Sequence, residues 1–459
     1  MARSRRPNLA LRRTMGQAGW NGPALATALR EIARESGLSV SYDRTTVAHW
    51  LAGTQPRPPG PQLLEAAFSR RLGRAVLPHE IGLPAGGRAD AEDRDPLENG
   101  SPLDALALLH DEILRSEKGA ETIQHRMYAL GWLPDRRNRP APTAPGSDAS
   151  PTVPPAPVTG RGAGRATPGR TERVGSRHIE AVNALSRYAA QHYDAFGGAA
   201  ARSLLTACLR DQIMPWLRQP STNGHHRALL SATSQLLRLL GRTHTDDNAH
   251  GHAQRHYRLA YLLAAEASDP IAQAMGLRDQ STQAGALGHH RYAAQLSEAA
   301  TLCLPASAGP AVRAFALAQQ AVSTARLNHA AKARRELDEA QEQFILAATE
   351  GGPDRYPEPA LLYQSAQVHR VLGAPELALS HLRASLRARP VTEHRTIGVS
   401  LLQLAQLELD SGNIHAARLA YEKYLDRHHT NGSPATAVEL ARLRGRLSRL
   451  GRTPVARAR

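Results

Sequence analysis

Five times between residues 248 and 412, a turn-forming residue is followed at fixed distances by a small and then a larger apolar residue. Gly373 leads to Ala378, Leu382 and Pro390, and Gly288 to Ala293, Ala300 and Pro305. Asn328 leads to Ala333, Leu337 and Ala340, Asn248 to Ala253, Tyr257 and Ala260, and Gly412 to Ala417 and Tyr421. The period is near forty residues. A small Ala just past a turn lets two helices approach closely, and one such hairpin cannot bury its apolar face alone. The pattern therefore commits this stretch to a stack of helical pairs. Composition agrees, because aromatic residues are only 4% of the chain against 41% hydrophobic. Ala and Leu must do the packing, which favours helix on helix over sheet. The expected fold class is all-α.

A chain of 459 residues fits two or three domains. Residues 1–83 are compact and basic, with twelve Arg against five acids. Residues 84–133 read as a linker, polar over 84–100, and a short helical segment in which Leu103, Leu106, Leu109, Ile113 and Leu114 share a face, followed by Ile123, Met127 and Leu130. Residues 134–176 are Pro/Gly-rich and are expected to be a disordered linker, because Pro removes donors and Gly loosens the backbone. Residues 177–452 are expected to be helical repeats, with 177–245 aligning least well.

The N-terminal module reads as short helices. Leu9, Leu11 and Met15 are expected to anchor the first. Asn21 caps the next, with Pro23 in its first turn, and Leu25, Ala26, Leu29, Ile32 and Ala33 recur at helical spacing before Gly37 stops it. Asp43 caps a third helix with Val47, Trp50 and Leu51 inward, and a Pro-rich turn at 56–61 precedes a fourth. The run Thr45 to Gly53 with Trp50-x-x-Gly53, then Gln55-Pro56-Arg57-Pro58 and Leu63-Leu64-Glu65-Ala66-Ala67, resembles the second half of a lambda-repressor-type (XRE-like) helix-turn-helix. Two features depart from that pattern: the segment between Ala26 and Trp50 is longer, and Leu51 stands where an acid often follows the Trp. The resemblance implies a DNA-binding domain whose recognition helix shows short polar side chains to the major groove. The candidate contacts are Tyr42, Arg44, Thr45, Thr46 and His49, with Arg12, Arg13 and Arg57 toward the phosphate backbone.

The C-terminal pattern resembles tetratricopeptide repeats, with a period longer than the usual ~34 residues. Stacked hairpins of that kind make a concave groove lined by the first helix of each pair. By repeat register Arg278, Tyr363, Gln367, Arg370 and Gln406 are expected to face it, as a site for a peptide or protein. A helix-turn-helix followed by such repeats resembles actinomycete regulators of sporulation and antibiotic production. It also resembles Gram-positive regulators whose repeats bind a signalling peptide. That combination implies a transcription regulator, expected as a homodimer because such proteins read two half-sites. The competing reading is an adaptor that assembles proteins on its repeats and does not bind DNA specifically.

The remaining signals narrow the class. Lys plus Arg total 57 against 41 acids, a formal charge of +16, and the only lysines are Lys118, Lys332 and Lys423. Such charge attracts polyanions, nucleic acid foremost, although a GC-rich genome also inflates Arg and Ala together. Cys208 and Cys303 fit packed, reduced thiols of a cytoplasmic protein. The run Ser4-Arg5-Arg6-Pro7-Asn8-Leu9 looks like a twin-arginine signal, but Arg12 and Arg13 interrupt the apolar run that export needs. No membrane-spanning run is present. No P-loop, nucleophile elbow or paired-Cys motif occurs, so neither an enzyme nor a cofactor is expected. His225, His226, His244, His250, His252 and His256 are expected to face solvent, without a metal, although His252 and His256 stand at i and i+4.

Overall fold

The computed structural model describes residues 7–35, 40–57, 59–72, 76, 78–83, 101–117, 173–350, 356–427 and 433–451. Expectations placed on Gly37, Ile123, Met127, Leu130 and most of the 134–176 stretch lie outside these residues. Among the described residues every regular element is helical, and an isolated bridge joins Val174 to Ser221. None of the described helices is long and apolar enough to cross a membrane.

Four helices, α1 (Leu9–Ala18), α2 (Gly22–Glu35), α3 (Arg44–Leu51) and α4 (Gly60–Leu72), and a 3-10 turn at Pro78–Ile81 close over one core. Leu25, Leu29, Val47, Leu64, Phe68 and Ile81 are fully buried there. The starts of α1, α2 and α3 are each set by a side chain that accepts an otherwise unpaired N–H. Asn8 accepts from Leu11 N–H at 2.9 Å, and Asn21 accepts from Ala24 N–H at 2.9 Å. Asp43 accepts from Thr46 N–H at 2.8 Å. Asn8 also ties the chain together, donating from Nδ2 to Ile81 O at 3.0 Å and from its backbone N–H to Leu51 O at 3.0 Å. Leu9 does not anchor α1: it is 70% exposed, because the cap turns Leu11 and Met15 inward instead.

The remaining helices form one array. α5 (Pro102–Glu117) buries Ala105, Leu106, Leu109 and Ile113 against the array rather than against the N-terminal core. α6 (Ser176–Phe196) is followed by α7 (Gly198–Cys208), which runs through a π turn (Leu209–Ile213) into the short α8 (Met214–Leu217). Pro215 has no N–H to continue the α ladder, and the adjacent Met214 N–H reaches back five residues to Leu209 O. Five hairpins come next: α9 (Asn223–Asp246) with α10 (His250–Glu266), and α11 (Pro270–Ala286) with α12 (His290–Cys303). They continue as α13 (Pro310–Ala325) with α14 (Ala330–Glu350), α15 (Glu358–Val371) with α16 (Pro375–Ala388), and α17 (His394–Asp410) with α18 (Ile414–Arg427). α19 (Pro434–Gly451) packs on the end.

The five turn residues read from the sequence all adopt left-handed backbone: Asn248 at 59°, Gly288 at 86°, Asn328 at 62°, Gly373 at 75° and Gly412 at 81° in φ. Only Gly and Asn enter that region readily, which is why they recur there. The alanines that follow, Ala253, Ala293, Ala333, Ala378 and Ala417, are fully buried where the paired helices cross. At the first hairpin the partner position is equally tight, since a Cβ on Gly241 would lie 2.4 Å from the Tyr257 ring. The long period follows from helix length, with 17 residues each in α10 and α11 and 21 in α14.

The array curls until its fifth hairpin meets its first helices. The Arg395 guanidinium of α17 forms a two-pronged ion pair with Asp246 of α9 and lies 4.6 Å over the ring of Tyr193 on α6. Thr396 donates to Asp194 at 2.9 Å. Asp246 keeps 4% of its side-chain surface and Arg395 29%, so the pair is largely desolvated. Removing one member strands a buried charge at a cost of about 3–5 kcal/mol, whereas replacing both by apolar groups is close to neutral. Arg395→Met is therefore expected to lower the urea midpoint of the array strongly, and Arg395→Met with Asp246→Leu to restore most of it. Ala253→Leu, which overfills a helix crossing, is expected to cost about 1–3 kcal/mol in the same measurement.

Candidate functional site

The most open chemistry in the N-terminal group lies on α3. Val47 and Trp50 bury its back, and Gly22 at the start of α2 lies beside Arg44 and Val47. The Pro turn folds tightly beneath Trp50: a Cβ on Gly60 would come within 3.0 Å of Pro56 and 3.3 Å of the Tyr42 hydroxyl. Arg44, Thr45, Ala48 and His49 remain exposed. Thr45 and His49 are one turn apart, as are Arg44 and Ala48, so the four make a single face with a methyl-sized step in it.

Two expected contacts are also engaged within the protein. Tyr42 turns half inward, packs edge-on against Trp50 with ring centroids 5.1 Å apart, and has its phenol pKa raised by that burial. Thr46 donates its hydroxyl to Asp43 at 2.7 Å, which closes a reciprocal cap. The backbone N–H and hydroxyl of Thr46 hold the Asp43 carboxyl below its ordinary range. Arg12 and Arg13 are exposed on α1, and the residue that caps that helix, Asn8, is bonded to the end of α3. Arg57 is exposed at the rim of an open groove of about 600 Å³. Tyr42, Thr46, His49 and Trp50 line the groove, together with Thr54 and Gln55. Thr54 and Gln55 were not among the predicted contacts, although they directly follow the Trp-x-x-Gly step that places them there.

The residues expected along the concave face separate into three groups. Arg278 is buried: its guanidinium lies 3.5 Å over the Phe315 ring and donates to Asp279 at 3.1 Å. Burial pushes the Asp279 carboxyl up, but Arg238 at 2.8 Å, Arg242 and Arg278 together hold it below its ordinary range. Tyr363, Gln367 and Arg370 are brought together through Gln403, a residue the repeat register did not single out. Gln403 donates to the Tyr363 hydroxyl at 2.6 Å, Gln367 donates to Gln403 at 2.5 Å, and Arg370 donates to Gln367 at 3.1 Å. Gln406 donates to Asp410 at 3.0 Å, apart from the other two groups. Between them runs a chain of Ser281, Ser323, Gln319 and Gln364 spanning three first helices. A ligand entering this face must exchange bonds already made for bonds of its own, so it needs amide-like donors and acceptors.

The histidines depart from expectation. His244, His250, His252 and His256 are buried rather than solvent-facing, because α5 and the neighbouring hairpins cover α10 on more than one side. His225 and His226 are half-buried. No group of three or more His, Cys, Asp or Glu among the described residues could hold a metal ion. Cys208 and Cys303 are half-buried, and the Cys303 thiol lies 3.3 Å from Gln273 Oε1.

Residues 11–84 match the family described as the SP15 N-terminal domain. The matched span runs from α1 through the 3-10 turn and stops before α5. No curated protein matches the chain.

Proposed function

We propose that this protein is a sequence-specific, double-stranded-DNA-binding transcription regulator of the cytoplasm. The N-terminal helices read the DNA, and the helical array receives a peptide, protein or small-molecule signal. The observation that carries the reading is the α3 face: Arg44, Thr45 and His49 exposed on a capped helix whose back is buried by Val47 and Trp50. An exposed Arg at the start of such a helix can meet guanine O6 and N7 with two N–H groups, and a Thr can meet a thymine methyl. Arg12, Arg13 and Arg57 supply exposed charge for phosphates. The twelve Arg against five acids within residues 1–83 put much of the chain's basic excess in the module that would need it. Two half-sites call for a homodimer.

The adaptor reading draws on a different feature. Tyr188 and Phe196 of α6 are 56% and 59% exposed and sandwich His192 in an aromatic row on the outside of the array. Such a row suits protein contact, and it is compatible with either function.

Selection of bound sequences from a random duplex library by the full-length chain is the test, followed by gel-shift titration at several salt concentrations. A shared, roughly palindromic motif and a steep loss of affinity with salt are expected. Arg44→Ala is expected to weaken specific binding by about 1–3 kcal/mol, roughly five- to 150-fold, and to relax one base position. Arg12→Ala with Arg13→Ala is expected to weaken all duplexes alike and flatten the salt slope by about two. Recovery of no motif, with affinity equal on any duplex, would leave the adaptor reading standing.

A further inference from the structure

Imidazoles from three helices crowd together where α5 docks on the array. His110 of α5, His244 near the end of α9, and His252 and His256 of α10 are all buried. The ring centroids of His244 and His256 are 4.9 Å apart, those of His244 and His252 5.5 Å, and those of His110 and His256 5.8 Å. His256 Nδ1 lies 2.8 Å from the carbonyl oxygen of His252. A carbonyl only accepts, so Nδ1 carries the proton and Nε2 presents a lone pair. The Nε2 atoms of His110, His244 and His256 are buried and have no hydrogen-bond partner among the described residues. Three buried ring nitrogens drawn from three helices therefore share one small region.

The surrounding charge is hostile to a further proton. Arg202 of α7 and the other three imidazoles face His244, and His110, His252 and Arg255 face His256. Arg210 in the π turn and Asp111 face His110. The acidic residues that follow His244 are already engaged, Asp246 with Arg395 and Asp247 with Arg202. Burial first, then neighbouring positive charge, pushes His244 and His256 well below the ordinary value of 6.5 and His110 to about 4.

We propose that this imidazole cluster is an acid-sensitive joint that holds α5 on the array when neutral and releases it when protonated. α5 supplies His110 and stands in the chain between the N-terminal helices and the array, so its release lengthens the tether between the two. The sign follows from linkage. Released imidazoles bind protons near pH 6.5, while docked His110 binds one only near pH 4. Docking stability is therefore complete above about pH 6.5 and drains away as the pH falls toward 4. Each imidazole that titrates only on release changes the docking equilibrium about tenfold per pH unit in that window. Leu106, Leu109 and Ile113 hold α5 by apolar contact that does not titrate, so the cluster tunes the docking rather than supplying all of it.

Hydrogen exchange of the full-length chain between pH 7.5 and 4.5, corrected for intrinsic rates, tests this. Protection of the α5 amides is expected to fall at least tenfold per pH unit below 6.5, while α15 and α17 stay protected. His110→Phe is expected to flatten that slope by about tenfold per pH unit. Ring-proton NMR of the wild-type histidines keeps the test open if that variant does not fold, since three imidazoles must titrate together with the loss of α5 protection. Flat protection of α5 down to pH 4.5 would overturn the proposal. So would loss of α5 and the distal hairpins at one common pH, or three imidazoles that titrate near 6.5 while α5 stays docked.

Discussion

The close crossing of paired helices at five buried alanines is the constraint on which the array depends. Ala253, Ala293, Ala333, Ala378 and Ala417 carry no side chain beyond Cβ, so the two backbones of each hairpin approach until larger residues on either side interlock. The left-handed turn residue a few positions earlier sets the angle at which the second helix returns. With both conditions repeated, each pair presents the same surface to the next, and the stack grows by nearest-neighbour contact alone. A bulky residue at one crossing would disturb its own hairpin and the two beside it.

Curvature is a consequence of that repetition. Each pair is rotated slightly relative to the last, and by the fifth hairpin α17 has come round to α6 and α9. The junction is polar, with Arg395 held between the Asp246 carboxylate and the Tyr193 ring. An ion pair there adds little net stability over apolar packing, but it penalises any other register of the two ends, because a shifted helix would leave Asp246 buried alone. The same curl crowds the inner helices. Ser281, Gln319, Ser323, Gln364, Gln367 and Gln403 hydrogen-bond to one another across turns of the stack instead of standing open to solvent.

The N-terminal helices follow a different plan. Their core is one closed cluster around Phe68, Leu64 and Leu29, and their outward chemistry rests on a helix of eight residues. So short a helix is marginal alone, and it persists because Asp43 caps one end while Trp50 and Val47 pin the other to the core. Pinning leaves Arg44, Thr45 and His49 with little to do inside the protein, in contrast to Arg278 or Arg395 in the array.

Local rules made much of this visible in the chain of amino acids. The turn residues, the crossing alanines, the caps at Asn21 and Asp43 and the inward Trp50 all follow from backbone preference and spacing within one or two helical turns. What those rules miss is contact between residues far apart in sequence. The histidines of α10 look solvated in the linear pattern, and they become part of a buried cluster because α5, more than a hundred residues earlier, and the neighbouring hairpins lie over them. Tyr363, Gln367 and Arg370 have the register of groove residues, yet their bonds through Gln403 depend on how tightly the array curls. Leu9 has the spacing of an anchor and is exposed because Asn8 is bonded to Ile81 and Leu51. Short-range periodicity is written into covalent order, whereas curvature and long-range docking emerge from summed packing angles and desolvation, which no local window contains.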